Sequence, residues 1–302
     1  MSLKEAADLP AEYKVSGGPV DFNSTQGGAA VSVVGIDSHP IPSLEHIPYV
    51  LSFYRHGDSV NIATERDGRT ESRGVVLVSA NSTFDLLSSI GIGGVFFVFA
   101  IYVISRHRCK LFAVVLHLVS VCAAVMIVYD WGSLAVHGRG VNFVLRISFD
   151  AAIWLLPALF FHFSCIYPRE KTRLKSLLLL PWYMTAAAGI AVSVYYLAGL
   201  FFLDVPVDGT HYVVFHSRIN DMFLIAGLLG TVVNLEHSAL RMEDAVKRRN
   251  VYWVLLGIFF GPLVYVFLIL VPRNLIGMEL ISDSLMQYTL LMAPLMFWKV
   301  IR

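Results

Sequence analysis

Ionised side chains are costly inside a bilayer, so the charges that interrupt the apolar blocks of this chain are its first functional candidates. Arg146 and Asp150 stand four residues apart where one apolar block begins. On a helix that spacing puts both on one face, close enough to pair. His216, Arg218 and Asp221 cluster at the start of a later block, and Asp130 and Trp131 close an earlier one. On one side of a bundle these groups would line an outward-facing polar pocket for a ligand. The plainer expectation is anchoring at headgroup level, by arginines that snorkel and a tryptophan at the interface.

Other chemistry is hard to find. His162 lies near the end of its block with Ala158 and Ile166 at the helical spacings where a second ligand would stand. A hydrogen bond between helices is therefore expected of it rather than metal or haem ligation. Glu236, His237, Met242, Glu243 and Asp244 read as a solvated helical extension. Cys109, Cys122 and Cys165 form no CxxC and no disulfide framework. There is no HExxH for a metalloprotease and no Gly-x-Ser-Gly nucleophile for an intramembrane serine protease. Gly17-Gly18 and Gly27-Gly28 lack a phosphate-loop context. No catalytic constellation, metal or cofactor is expected.

The elements that must position these residues are set by composition. Hydrophobic residues make up 56% of the 302 and charged residues only 15%, against about a quarter charged in soluble domains. The excess lies after Asn81, which divides the chain into a soluble module at 1–80 and a membrane domain at 81–302. A net charge of +1 gives no bias toward nucleic acid. A bilayer core of about 30 Å needs roughly 20 apolar residues per helix. Seven stretches qualify: Phe84 to Ile104, Leu111 to Tyr129, Ile147 to Tyr167, Ser176 to Leu203, Ile219 to Leu235, Val251 to Val271 and Ser284 to Trp298. Pro157, Pro181, Pro262 and Pro294 fall within spans and are expected to kink them. Thirteen lysines and arginines fall in one set of loops and ends, from Arg106 to Arg302, and four in the other: Arg139, Arg146, Arg218 and Arg273. The basic side is expected to be cytoplasmic, with the N-terminus outside and the C-terminus inside. Nothing apolar precedes the first eighty residues to carry them across. A start upstream of Met1 is expected rather than unaided export.

Within the module, Val31 to Ile36 reads as a strand, Ser43 as the N-cap of a short helix, and Asp67-Gly68 as a hairpin turn before the strand Gly74 to Ser79. The run VVGIDSHPIPSLEHIPYVL…HGDSVNIATERDGRTESRGVVL resembles the second half of a bacterial PDZ domain. Ser38 stands where that family has a turn glycine, and no clear carboxylate-binding loop precedes Gly28. The family implies capture of an extended peptide by strand addition; a spacer or dimer contact is the alternative.

A PDZ-like module followed by many apolar helices resembles the input half of sensor histidine kinases of the competence quorum-sensing type. PALFFHFSCIYPREK, Pro157 to Lys171, is similar to a helix end in that group, and APLMFWKVIR, Ala293 to Arg302, to its last helix before the signalling part. The resemblance implies a sensory input in the cell (inner) membrane, acting as a homodimer. It would pass an extracellular peptide or small-molecule signal to a cytoplasmic kinase transmitter, whose H-box and ATP lid this sequence lacks. A transporter or channel, and a membrane scaffold recruiting a partner through the PDZ-like module, are the rival expectations.

Overall fold

The computed structural model describes residues 13–16, 31–41, 50, 58–66, 69–79, 83–107, 110–129, 139–169, 171–199, 202, 215–276, 280–281 and 283–301. The chain divides into two compact units. One holds Met1–Leu86 with Trp131–Leu145 and Ala198–Phe215; the other holds Leu87–Asp130, Arg146–Leu197 and His216–Arg302.

The first unit carries a five-stranded sheet, β1 (Tyr13–Ser16), β2 (Val31–Ile36), β3 (His39–Pro40), β4 (Ser59–Arg66) and β5 (Arg69–Ser79), in the order β1-β5-β4-β2-β3. Every pairing is antiparallel. Alternation explains β5, where Val75 and Leu77 are buried and Val76 between them is 40% exposed. In β2 the buried residues Val33 and Ile36 are three apart, which strict alternation forbids. A bulge between Val33 and Gly35 resets the facing, so both enter the core with Ile41, Val50, Val60, Val75 and Leu77. Asp37 turns the chain from β2 to β3 at φ 49°, a left-handed conformation that aspartate tolerates better than most residues. Its N–H donates to the Asn61 carbonyl at 2.7 Å, and its Oδ1 accepts from the Asn61 N–H at 2.7 Å. The turn is thereby bracketed to β4. The register Arg66↔Arg69 closes the β4–β5 hairpin around two residues. The expected helix from Ser43 and the Asp67-Gly68 turn itself lie outside the described residues.

The helices are α1 (Thr83–Arg106), α2 (Leu111–Tyr129), α3 (Arg139–Ile166), α4 (Thr172–Ala198) and α5 (Asn220–Leu240), the last preceded by a π-helical turn at Phe215–Ile219. Next comes α6 (Ala245–Ile258), which continues through π-helical segments at Phe259–Leu263 and Val266–Leu270 into α7 (Val271–Ile276). Two short helices end the chain, α8 (Asp283–Leu290) and α9 (Met292–Ile301). Among the described residues, six helical stretches have the length and apolarity to cross a membrane, including Ala245–Leu270 as one stretch.

The six match the first six expected spans with shifted ends. α3 begins at Arg139, eight residues before the apolar block, and α6 begins at Ala245 with Lys247, Arg248 and Arg249 inside it. α6 can start there because the Asp244 side chain accepts from the N–H groups of Val246 and Lys247 at 3.0 and 3.2 Å. The expected extension at 236–244 is helical only to Leu240; Met242 is buried rather than solvated. The seventh expected span, Ser284 to Trp298, is broken at Leu291. Pro294 has no N–H, so the Leu290 carbonyl loses its helical donor and the turn there opens. The core of this unit gathers Phe99, Leu116, Phe163, Leu228, Leu235, Val254 and Phe297 from α1, α2, α3, α5, α6 and α9.

Candidate functional site

Two glycines set how α3 sits between its neighbours. A Cβ on Gly227 of α5 would lie 2.7 Å from the Pro157 Cβ and 2.9 Å from its Cα, so these two backbones touch. A Cβ on Gly189 of α4 would fall 2.2 Å from the ring of Trp154, which is 1% exposed. Each glycine makes the room that the larger residue opposite fills.

Further contacts fix the register. Between α3 and α5, Trp154 meets Phe223 with ring centroids 5.9 Å apart, Phe161 lies 3.3 Å from where a Gly230 Cβ would stand, and Asn234 Nδ2 donates to Ser164 Oγ at 2.9 Å. The residue offset stays at 69 to 70 throughout, so the two helices run parallel and in step. Between α3 and α4, Phe161 stacks on Trp182 at 5.0 Å, and His162 Nδ1 shares a hydrogen bond of 2.7 Å with the Tyr183 hydroxyl. With Gly189 set against Trp154, residue numbers fall along α4 as they rise along α3, so α4 is antiparallel to α3.

One turn beyond Trp154, the same registers put Asp150 of α3 level with Ser193 of α4 and with Asn220 and Asp221 of α5. All four are buried, Asp150 and Ser193 at 0% exposure, Asn220 at 4% and Asp221 at 6%. Arg146 Nε lies 3.5 Å from Asp150 Oδ1 and its guanidinium 5.4 Å from the Phe149 ring, with a side-chain exposure of 30%. The helical pairing expected of these two residues is present. Ser193 Oγ and Asn220 Oδ1 have no hydrogen-bond partner among the described residues. A buried polar atom left unsatisfied costs about 1–3 kcal/mol, so this layer is one that a hydrogen-bonding guest would stabilise.

Of the other expected residues, Arg218 is exposed in the π-helical turn before α5. His216 lies in the same turn, with its side chain outside the described residues, and Asp130 and Trp131 lie outside them entirely. Sequence reasoning missed Ser193 and Asn220. Neutral polar residues barely disturb a hydropathy profile, and only the helix register brings them to Asp150.

A second polar group, also missed, joins the C-terminal ends of α3 and α5. Lys171 Nζ donates to the Asn234 carbonyl at 2.9 Å and also to Asn234 Oδ1. Asn234 Nδ2 binds Ser164 as above and reaches Cys165 Sγ at 3.5 Å. Ser238 Oγ donates to the Asn234 carbonyl at 2.7 Å. Loss of solvent pushes the Lys171 ammonium below the usual lysine value, partly offset by the neighbouring Cys165. This amide-centred clasp holds the polar turn after α3 against α5. Cys122 and Cys165 are buried free thiols, consistent with packing. Among the described residues no three His, Cys, Asp or Glu side chains gather to hold a metal. No protein-family model, curated protein or solved structure matches the chain.

Proposed function

We propose that this chain is the membrane-embedded input of a signalling receptor, whose ligand acts on the polar layer of Asp150, Ser193, Asn220 and Asp221. The observation that carries the proposal is the placing of four buried polar residues at one level of an apolar bundle, two with unsatisfied atoms. The layer is small, lies in the N-terminal half of α3 and at the N-terminal end of α5, and leads by continuous helix packing to the opposite end, where the Lys171 clasp sits.

In this reading α8 and α9 together form the seventh span. Nineteen residues at 1.5 Å each give about 28 Å, close to the bilayer core. The basic loops set the N-terminus outside the inner membrane and Arg302 inside it. The sheet unit is then extracytoplasmic, and its resemblance to PDZ domains makes it a second place for a peptide to act. α9 delivers the output to a cytoplasmic kinase, as in the sensor kinases the sequence resembles, with the whole acting as a homodimer. A ligand that prefers one helix arrangement shifts the population toward it.

The test joins Arg302 to a kinase core in continuous helical register and reads basal autophosphorylation in nanodiscs. Asp150→Asn and Asn220→Leu are expected to change it about tenfold, the effect of about 1.4 kcal/mol on a two-state balance, with membrane insertion intact. If both variants insert and signal like the parent, the layer is structural and the input lies in the sheet unit. Uptake of solute by proteoliposomes holding the chain alone would instead favour a transporter.

A further inference from the structure

The break at Leu291 faces a second irregularity. Gly261 lies in the π-helical segment Phe259–Leu263 that follows α6. A Cβ there would stand 3.4 Å from Ala293 Cβ, 3.6 Å from Ala293 N and 3.7 Å from the Leu290 carbonyl oxygen. The irregular turn of one helix is thus seated on the open turn of the other. Both contain proline, Pro262 and Pro294, and each proline removes the i+4 donor of the carbonyl four residues earlier, at Ile258 and Leu290. The N–H groups flanking the break make long bonds, Leu291 to the Tyr288 carbonyl and Leu295 to the Leu291 carbonyl, both at 3.3 Å. π-helical turns inside α-helices are frequent at functional sites.

The two halves are held by different kinds of contact. α8 is tied to α1 by directional hydrogen bonds, Ser89 Oγ to Gln287 Oε1 at 2.6 Å and the Tyr288 hydroxyl to Ser88 Oγ at 2.8 Å. α9 makes no such side-chain hydrogen bond among the described residues; it is held by rings and by apolar packing on α6, where a Cβ on Gly257 would stand 3.1 Å from the Met296 Cβ. Trp298 stacks on Tyr102 at 4.1 Å, Lys299 Nζ sits 3.8 Å over the Trp253 ring, and Phe297 lies 6.2 and 6.5 Å from Phe163 and Phe99. A hydrogen bond weakens steeply once its distance or angle is lost. Ring pairs keep their attraction across several ångströms of centroid separation, so they slide where hydrogen bonds hold.

We infer that Leu290–Ala293 is a pivot: Met292–Ile301 swings on its ring contacts while Asp283–Leu290 stays fixed to α1, and Gly261 provides the clearance. The pivot confines any motion of the last helix to the ten residues nearest its C-terminus, whatever ligand or output the protein has. It does not depend on the receptor reading.

The experiment places spin labels on the full chain in lipid nanodiscs, with Cys109, Cys122 and Cys165 replaced by alanine. One label sits at Val98 on the exposed face of α1; the second sits at Thr289 or at Leu295, which is 62% exposed. The Val98–Leu295 distance distribution is expected to be about twice as wide as the Val98–Thr289 one, or bimodal, as for a hinge between packed bodies. Pro294→Ala, which restores the missing N–H, is expected to narrow the Leu295 distribution and leave the Thr289 one alone. Gly261→Leu is expected to shift the Leu295 distribution only. Equal narrow distributions, joint broadening of both, or a Leu295 distribution indifferent to both variants would overturn the pivot.

Discussion

The Arg146–Asp150 pair predicts an asymmetry between two conservative variants. Asp150 is wholly buried, whereas the Arg146 side chain keeps 30% of its surface. Arg146→Gln removes the guanidinium that the buried carboxylate faces, and breaking a buried pair from that side costs about 3–5 kcal/mol. Asp150→Asn keeps the buried shape and leaves a guanidinium that can reach outward along its own stem. Its cost falls near that of a surface pair, about 1 kcal/mol or less. The gap of at least about 2 kcal/mol is a thirtyfold or greater difference in the folded-to-unfolded ratio. Arg146→Gln combined with Asp150→Asn removes both charges, and it is expected to be more stable than Arg146→Gln alone. The assay is unfolding in mixed micelles titrated with a denaturing detergent, followed by circular dichroism and by the fluorescence of buried Trp154. Equal losses for the two single variants, or additive losses in the double variant, would show that the charges do not depend on each other and would remove the electrostatic basis of the polar layer.

Three further outcomes are expected. Gly189→Ala drives a methyl into the Trp154 ring and is expected to cost about 1–3 kcal/mol; in a Trp154→Leu background the same change is expected to cost far less, by the same unfolding assay. The depressed Lys171 ammonium binds its proton more weakly folded than unfolded. Stability is therefore expected to rise with pH between the folded value and the ordinary value of 10.5, and Lys171→Met is expected to flatten that part of the profile. Single cysteines at Ser79 and Ser176, in a background free of native cysteines, are expected to react with an impermeant maleimide from outside intact cells and to be protected from it, respectively; the reverse pattern would invert the proposed topology.

Hydropathy located the membrane-length helices because the apolar blocks are long and bounded by charge. It misjudged where they end, because an apolar block marks the bilayer and not the helix. α3 and α6 run on through Arg139–Asn142 and Ala245–Asn250, the latter under the Asp244 cap. In the last span a kink was expected from Pro294, and what was not legible is that the break falls at Leu291. Pro294 is plain in the sequence, but the carbonyl it deprives is at Leu290, so the damage appears upstream of the visible cause. The i, i+4 pairing of Arg146 with Asp150 was legible because it is local. The alignment of Asp150 with Ser193 and Asn220 was not, since it depends on Gly189 and Gly227 admitting Trp154 and Pro157 across helices. The Lys171–Asn234 clasp was hidden likewise, its partners being 63 residues apart. In the sheet, β2 and the end of β5 were readable, while β1 and the bulge that brings Val33 and Ile36 to one face were not.

The parallel register of α3 and α5 also bears on how the chain is made. At about 5–20 residues per second, synthesis needs roughly 3–13 s to travel from Lys171 to Asn234. For that interval α3 waits without the helix that completes its polar contacts. Its sequence is provisioned for the delay: Asp150 is neutralised by Arg146 on the same helix, and Ser164 Oγ donates to the Phe161 carbonyl three residues back. Thr231 on α5 and Ser120 on α2 likewise donate to their own helices, to the Gly227 and Leu116 carbonyls. These three hydroxyls are thus engaged within their own helices before a neighbour arrives. Asn234 and Lys171 differ, since their side chains meet only once α5 has been made. Their joining closes the polar turn after α3 onto α5.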